Sequence, residues 1–237
     1  MKPLQKKNLL YELTLPISIF QYYRTQQNLL PFHNTFSKHP VIVLPGLGAS
    51  DSSTKALRGF LRKTGLWVYG WKQGYNHGRV GKLLPSIIDH AAQVYAKHDQ
   101  KVILIGWSLG GLIAREVARQ IPKYIQGVCT MGSPLIGGPK HTLYAPLYKK
   151  MGHDLEKTAE IIHNREKEPL LVPSQVMYSK KDGIVHWEAC LDHHNPHTTH
   201  AEVQAPHFSM GTSPEIFIAL HNWLKTILPA NQVPDQN

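Results

Sequence analysis

The stretch Lys101 to Gln120, KVILIGWSLGGLIAREVARQ, constrains this chain more than any other. Val102 to Ile105 is an unbroken aliphatic run, which reads as a strand buried on both faces. Gly106-Trp107-Ser108-Leu109-Gly110 follows at once. Leu112, Ile113, Val117 and Ile121 then recur at helical spacing, with Arg115, Glu116 and Arg119 between them. A serine flanked in this way at a strand-to-helix junction sits on a tight turn, where only glycine tolerates the close approach of helix to strand. The turn lifts the hydroxyl clear of the sheet at the positive end of a helix, and the Leu109 N–H points to where an oxyanion would form. Ser108 is the candidate nucleophile. The rival reading of the same pentapeptide is a structural turn.

Around this centre, strands and helices alternate. Val41 to Leu44 is an apolar strand that ends sharply at Pro45-Gly46-Leu47-Gly48. A helix follows with Ala56, Leu57, Phe60 and Leu61 on one face and Ser53 or Thr54 as its cap. Leu66 to Trp71 reads as a strand running into the loop KQGYNHG, and about Lys82 to Lys97 as a helix. Further strands are expected at Ile125 to Met131, Gln175 to Ser179 and Ala201 to Ala205, and a closing helix at Glu215 to Leu228. Apolar strands alternating with amphipathic helices predict an α/β fold, a mostly parallel sheet covered on both faces. The expected organisation is an N-terminal helical or irregular arm over residues 1–40, one domain over 41–228, and a polar tail over 229–237. Within the domain, residues 135–173 form a cap insertion with a helix from Asp154 to about Arg165.

Composition bounds the partners. The formal net charge of +10 raises nucleic acid or an anionic membrane as binding partners. The basic residues are scattered in small groups, and no recognition-helix, RNP-type or zinc-finger pattern accompanies them, so no nucleic-acid partner is expected. Lys2, Lys6 and Lys7 precede an apolar segment, Leu9 to Phe20, that superficially resembles a signal peptide. Glu12 and Pro16 interrupt it, no small-x-small site follows, and it is too short to span a bilayer. Peripheral contact with an anionic membrane surface stays open as a minor reading. Cys129 and Cys190 lie in separate elements without metal-ligand spacing, which suits a reducing compartment. A cytoplasmic location is the expectation.

A serine hydroxyl needs a base, and the base needs a carboxylate to orient it. Open α/β sheets place ligands at the carboxyl ends of their strands. That rule selects Asp182 and His207 with Ser108, in the chain order Ser, Asp, His. Asp192 and Asp154 are the rival acids, because Asp182-Gly183 is also a turn signal, and His200 is the rival base.

The strand–turn–helix and this order resemble the α/β-hydrolase fold. VIVLPGLGAS, ILIGWSLGG, SKKDGIV and APHFSM stand where that superfamily carries its oxyanion loop, nucleophile, acid and base. Residues 41–228 look like a compact lipase/esterase-type member. PGLGAS and WKQGYNHG are closer to the intracellular, PGAP1-like branch than to secreted lipases. Pro45-Gly46 departs from the commoner His-Gly pair. The resemblance implies Leu47 as the second backbone N–H donor of an oxyanion hole, against an ordinary glycine-rich turn.

The implied activity is hydrolysis of small-molecule or lipid acyl esters through an acyl-enzyme, with no cofactor required. An acyltransferase or thioesterase would use the same residues, and a non-catalytic binding protein on this fold is the rival of a different class. His193 and His197 have helical ligand spacing, yet Pro196 argues against a helix there, so the run Asp192 to His200 is expected as a solvated loop without metal. Trp71, Tyr75, Tyr144 and Tyr148 are candidate walls of an acyl pocket, and Leu143, Leu147 and Met151 extend the cap's apolar underside. The short insertion predicts a small or medium pocket.

Overall fold

The computed structural model describes residues 6–24, 27–150, 152 and 154–229. Six strands form one sheet: β1 Pro40–Leu44, β2 Trp67–Gly70, β3 Val102–Trp107, β4 Ile125–Met131, β5 Ser174–Tyr178 and β6 Thr198–Glu202. Their spatial order is β2-β1-β3-β4-β5-β6, and every neighbouring pair is parallel. The order reverses at β1: the chain runs from β1 outward to β2, then crosses back over β1 to β3. The carboxyl ends of β1 and β3 therefore open side by side, where such sheets hold ligands.

Alternation within the strands explains the two cores. Val41 and Val43 of β1 face one side with Ile103 and Ile105 of β3. They pack there against Leu57 and Phe60 of α3 (Lys55–Lys63) and Phe217 and Trp223 of α8 (Pro214–Ile227). Ile42, Leu44 and Leu104 face the other side. They meet Ile87 and Ala91 of α4 (Val80–His98) and Ile113 and Val117 of α5 (Leu109–Gln120). Both faces of the central strands are dry, so their sequences read as continuous apolar runs.

Three local expectations need correction: the last strand, the Asp192 loop and the α3 cap. The last strand runs Thr198–Glu202, not Ala201–Ala205. It is an edge strand whose residues are mostly exposed or half-buried, so hydrogen bonding to β5 rather than an apolar stripe sets its register. The run Asp192 to His200 is not a solvated loop: Asp192 and Asn195 are buried, and Thr198 to His200 lie in β6. Arg115 lies on the inner face of α5 and is fully buried. Neither Ser53 nor Thr54 caps α3 with its side chain; a short 3-10 turn, Asp51–Thr54, leads directly into the helix.

The remaining helices flank the carboxyl edge. Residues 6–24 fold as α1 (Lys6–Glu12) and α2 (Leu15–Arg24). The insertion holds α6 (Ala145–Lys150) and α7 (Leu155–Lys167), the latter capped by Asp154, whose Oδ1 accepts the N–H groups of Glu156 and Lys157 at 3.0 Å. Almost all of the tail from residue 229 lies outside the described residues, as does Met151. Among the described residues no helix is long and apolar enough to cross a membrane.

Candidate active site

Ser108 occupies the turn between β3 and α5 with φ 55° and ψ −123°. A non-glycine residue there stores about 1–3 kcal/mol of backbone strain. The flanking glycines allow it: a Cβ on Gly106 would lie 2.3 Å from the Gly110 carbonyl oxygen, and one on Gly110 would lie 2.4 Å from that of Leu44. Helix and strand meet backbone to backbone, and the hydroxyl is left facing a cavity of about 90 Å3.

Asp182 and His207 meet at the same edge. His207 Nδ1 lies 2.7 Å from Asp182 Oδ2, and both residues are buried. The other carboxylate oxygen, Oδ1, accepts the N–H groups of Ile184 at 2.8 Å and Val185 at 2.7 Å, which fixes the carboxylate plane. With its Nδ1–H donated to Asp182, the ring keeps Nε2 as the free acceptor. Burial pushes the His207 pKa down, but the Asp182 charge and hydrogen bond, with the Glu12 charge behind them, outweigh it and hold the pKa above the ordinary value. Ser108 and His207 line one cavity and make no mutual hydrogen bond among the described residues. Such contacts commonly tighten only when substrate binds.

Leu47 and Leu109 line that cavity as well. Neither N–H donates a hydrogen bond among the described residues. The Leu47 loop is braced by Asn76, which is fully buried: its Nδ2 donates to Pro45 O at 3.0 Å, and its backbone exchanges bonds with Gly48 and Ala49. The WKQGYNHG loop thus supports PGLGAS directly.

The rival residues are elsewhere. Asp192 receives Arg115 Nη2 at 2.7 Å, Asn195 Nδ2 at 2.7 Å and Thr198 Oγ1 at 3.0 Å. Burial alone would raise its pKa, but the Arg115 charge, the His194 N–H and the hydrogen bonds from Arg115 and Asn195 lower it to about 2. Arg115 also binds Glu166 of α7, which Arg119 holds at 2.8 Å, so this buried cluster ties the insertion to α5. Asp154 is a helix cap, and His200 accepts the Asp192 N–H at 3.0 Å. Among the described residues no three His, Cys, Asp or Glu side chains converge to hold a metal ion.

Of the expected pocket walls, Tyr144 and Tyr148 line the cavity. Trp71 does not: it is fully buried and donates its indole N–H to Gly74 O at 3.0 Å. Tyr75, Leu143 and Leu147 are exposed. Cys190 is buried beside Asp182, and burial followed by that charge raises its thiol pKa well above the usual range.

Glu12 went unrecognised in the sequence. Its Oε1 accepts the N–H groups of Gly183 at 2.8 Å and His207 at 2.9 Å, and its Oε2 accepts that of Phe208 at 2.9 Å. Asn8 Nδ2 donates to Lys180 O at 2.9 Å and Asp182 O at 3.1 Å. A lone carboxylate in the Leu9 to Phe20 run was its only signal.

No protein-family model matches the sequence. Solved structures share the architecture. One is a metagenome-derived lipolytic enzyme of the LipS and LipT pair, with TM-score 0.62 and 14% identity over 82% of this chain and 95% of that one. The monoacylglycerol lipase of Paleococcus ferrophilus gives 0.57 and 18%, over 81% and 97%. The 2-hydroxy-6-oxo-6-phenylhexa-2,4-dienoate hydrolase of a Rhodococcus species gives 0.54 and 15%, over 79% and 90%. This chain has the α/β-hydrolase fold.

Proposed function

We propose that this protein is a serine hydrolase that cleaves carboxylic esters through an acyl-enzyme. The observation that carries the reading is the 2.7 Å Asp182–His207 contact beside a strained serine on the same cavity. Ser108 Oγ attacks the ester carbonyl while its proton passes to His207 Nε2. Asp182 holds the ring in the required tautomer and stabilises the imidazolium. The N–H groups of Leu47 and Leu109 take the oxyanion. His207 then returns the proton to the departing alcohol. Water, deprotonated by His207 in its turn, attacks the acyl carbonyl, and the ring returns that proton to Ser108 Oγ as the acyl–oxygen bond breaks and the acid leaves. Two buried free thiols, Cys129 and Cys190, fit work in a reducing compartment such as the cytoplasm.

The acyl chain has a place to go. Beside the Ser108 cavity lies a second one of about 440 Å3, walled by Val80, Leu84, Leu109, Leu112, Ile161 and Ile162. The two share Leu109, Leu112, Pro139 and Tyr148. The walls are aliphatic, and the charged residues at the rim, Arg119, Arg165, Glu116 and Glu166, pair with one another. This favours a medium-length acyl group over an anionic one. A fluorophosphonate probe should label Ser108 stoichiometrically, and a p-nitrophenyl ester panel should reveal turnover. No labelling of the folded protein would favour a binding role instead. Acyl transfer outpacing hydrolysis in excess alcohol would mark a transferase.

A further inference from the structure

Helix α1 is turned inside out. Its inward side is polar, with Asn8 and Glu12 buried against the Asp182 and His207 loops. Its outward side, continued by α2, is apolar: Leu10 is 66% exposed, Leu13 74%, Phe20 58% and Tyr23 70%. A helix packed on a core shows the opposite arrangement. Among the described residues, more than half of the exposed large apolar side chains fall between Leu9 and Leu30. A concentration of this kind marks a contact surface.

The charge of the segment that carries the face selects the partner. Between residues 1 and 50 the only carboxylate is Glu12, which is buried and fully engaged, whereas Lys2, Lys6, Lys7, Arg24 and Lys38 are all cations. The Arg24 guanidinium lies 5.6 Å from the centre of the Phe20 ring, at the edge of the apolar face. Apolar side chains on a segment whose other charges are all cationic suit an anionic interface. They disfavour a second copy of this chain, which would set cation against cation under a net charge of +10 on each.

The face also leads to the nucleophile. A groove of about 740 Å3 runs beneath α2, with Leu15, Ile19 and Tyr22 on one wall and Leu47, Trp107 and Phe208 on the other. The last three also line the Ser108 cavity. We infer that the outer face of α1 and α2 docks on an anionic phospholipid surface, with the groove beneath α2 joining that surface to Ser108. The docking does not depend on the hydrolase reading; the passage to Ser108 rests on it.

The two are separated by measuring binding on Ser108→Ala, which cannot turn over. The full chain carrying that change should co-sediment with phosphatidylcholine vesicles containing phosphatidylglycerol, and far less with phosphatidylcholine alone. Added salt should weaken the binding. Leu13→Glu combined with Phe20→Glu should weaken it at least about tenfold. In the Ser108 background the same pair should leave hydrolysis of soluble p-nitrophenyl butyrate within about twofold while lowering turnover of a vesicle-borne ester. Equal binding to both vesicle types, no binding to either, or unchanged binding by the double variant would each overturn the proposal. So would a dimer in ultracentrifugation that the double variant dissociates, which would make the face a self-interface.

Discussion

Glu12 Oε1 accepts the backbone N–H of His207 at 2.9 Å although 195 positions separate the two residues. The same oxygen takes the N–H of Gly183, the neighbour of Asp182. One carboxylate therefore clamps the loops of the proposed acid and base together. It also adds negative charge behind the imidazole.

Glu12→Gln keeps the shape but removes the charge and one of the two acceptor oxygens. We expect kcat to fall roughly tenfold, the equivalent of about 1.4 kcal/mol, through looser placement of His207. The reaction needs the neutral ring, so activity is lost as pH falls through the raised His207 pKa. Removing a nearby negative charge lowers that pKa, and the acidic limb of kcat/KM should move to lower pH. Gly183→Ala should behave alike, since its Cβ would stand 2.6 Å from Asn8 O and push α1 away. An acidic limb that stays in place in both variants would leave Glu12 with a structural role only.

Ser108→Ala should reduce hydrolysis at least about 10³-fold, with the melting temperature within about 2 °C of the parent, since the lost hydroxyl makes no hydrogen bond to His207. Activity above a tenth of the parent in a folded sample would remove Ser108 from the mechanism.

Asp182→Asn and Asp192→Asn should separate chemistry from stability. The first should lower kcat by about 10³ to 10⁴-fold, because an amide does not enforce the required tautomer. The second leaves Arg115 short of a buried counter-charge and should cost about 3 kcal/mol, or roughly 6–12 °C in melting temperature, with kcat nearly intact in the folded fraction. Calorimetry beside single-turnover kinetics checks the ranking, and the reverse order would move the acid into the Asp192 loop.

Stability should weaken on mild acidification. Burial lowers the pKa values of His39, His90 and His221, the last packed against the rings of Phe32 and Phe36. Each contributes stability that is present above the unfolded-state pKa of about 6.5 and lost as pH falls toward the lower folded value. His207 works in the opposite sense, since its raised pKa favours the folded state below that range. His98, His141 and His200 are lowered by burial as well, and with six groups against one, melting temperature should drop between about pH 7 and 5. His221→Phe should shallow the drop; an unchanged slope would point away from His221.

Acyl-chain dependence tests the cavity beneath α7. Each buried methylene is worth about 0.8 kcal/mol, so kcat/KM should climb roughly three- to fourfold per carbon from acetate to about butyrate–octanoate and then decline. Ile161→Trp should shift the optimum to shorter chains without harming acetate. A flat profile in the parent would mean that the acyl group lies elsewhere.

What the sequence disclosed was local. Ser108, its glycines and the apolar runs of β1, β3 and β4 are features of contiguous residues, and strand ends then pointed to Asp182 and His207. Contacts between distant segments left no such trace. Arg115 sits among helical residues that fit an amphipathic pattern, so it reads as solvent-facing until Glu166 and Asp192 arrive from 51 and 77 positions away. Glu12 reads as a break in an apolar segment, because its N–H partners lie far along the chain. The start of β6 was misplaced for a related reason: an edge strand takes its register from its neighbour's hydrogen bonds, which no side-chain pattern records.

The Glu12 clamp also sets an order of assembly. During translation α1 leaves the ribosome long before the backbone groups that receive it, at Gly183, His207 and Phe208, have been made. A nascent chain that already displays the Ser108 turn still lacks its proposed acid and base, and Glu12 waits in water with nothing to hold. Catalytic competence should therefore arrive in one step after those loops are made, when α1 closes on them.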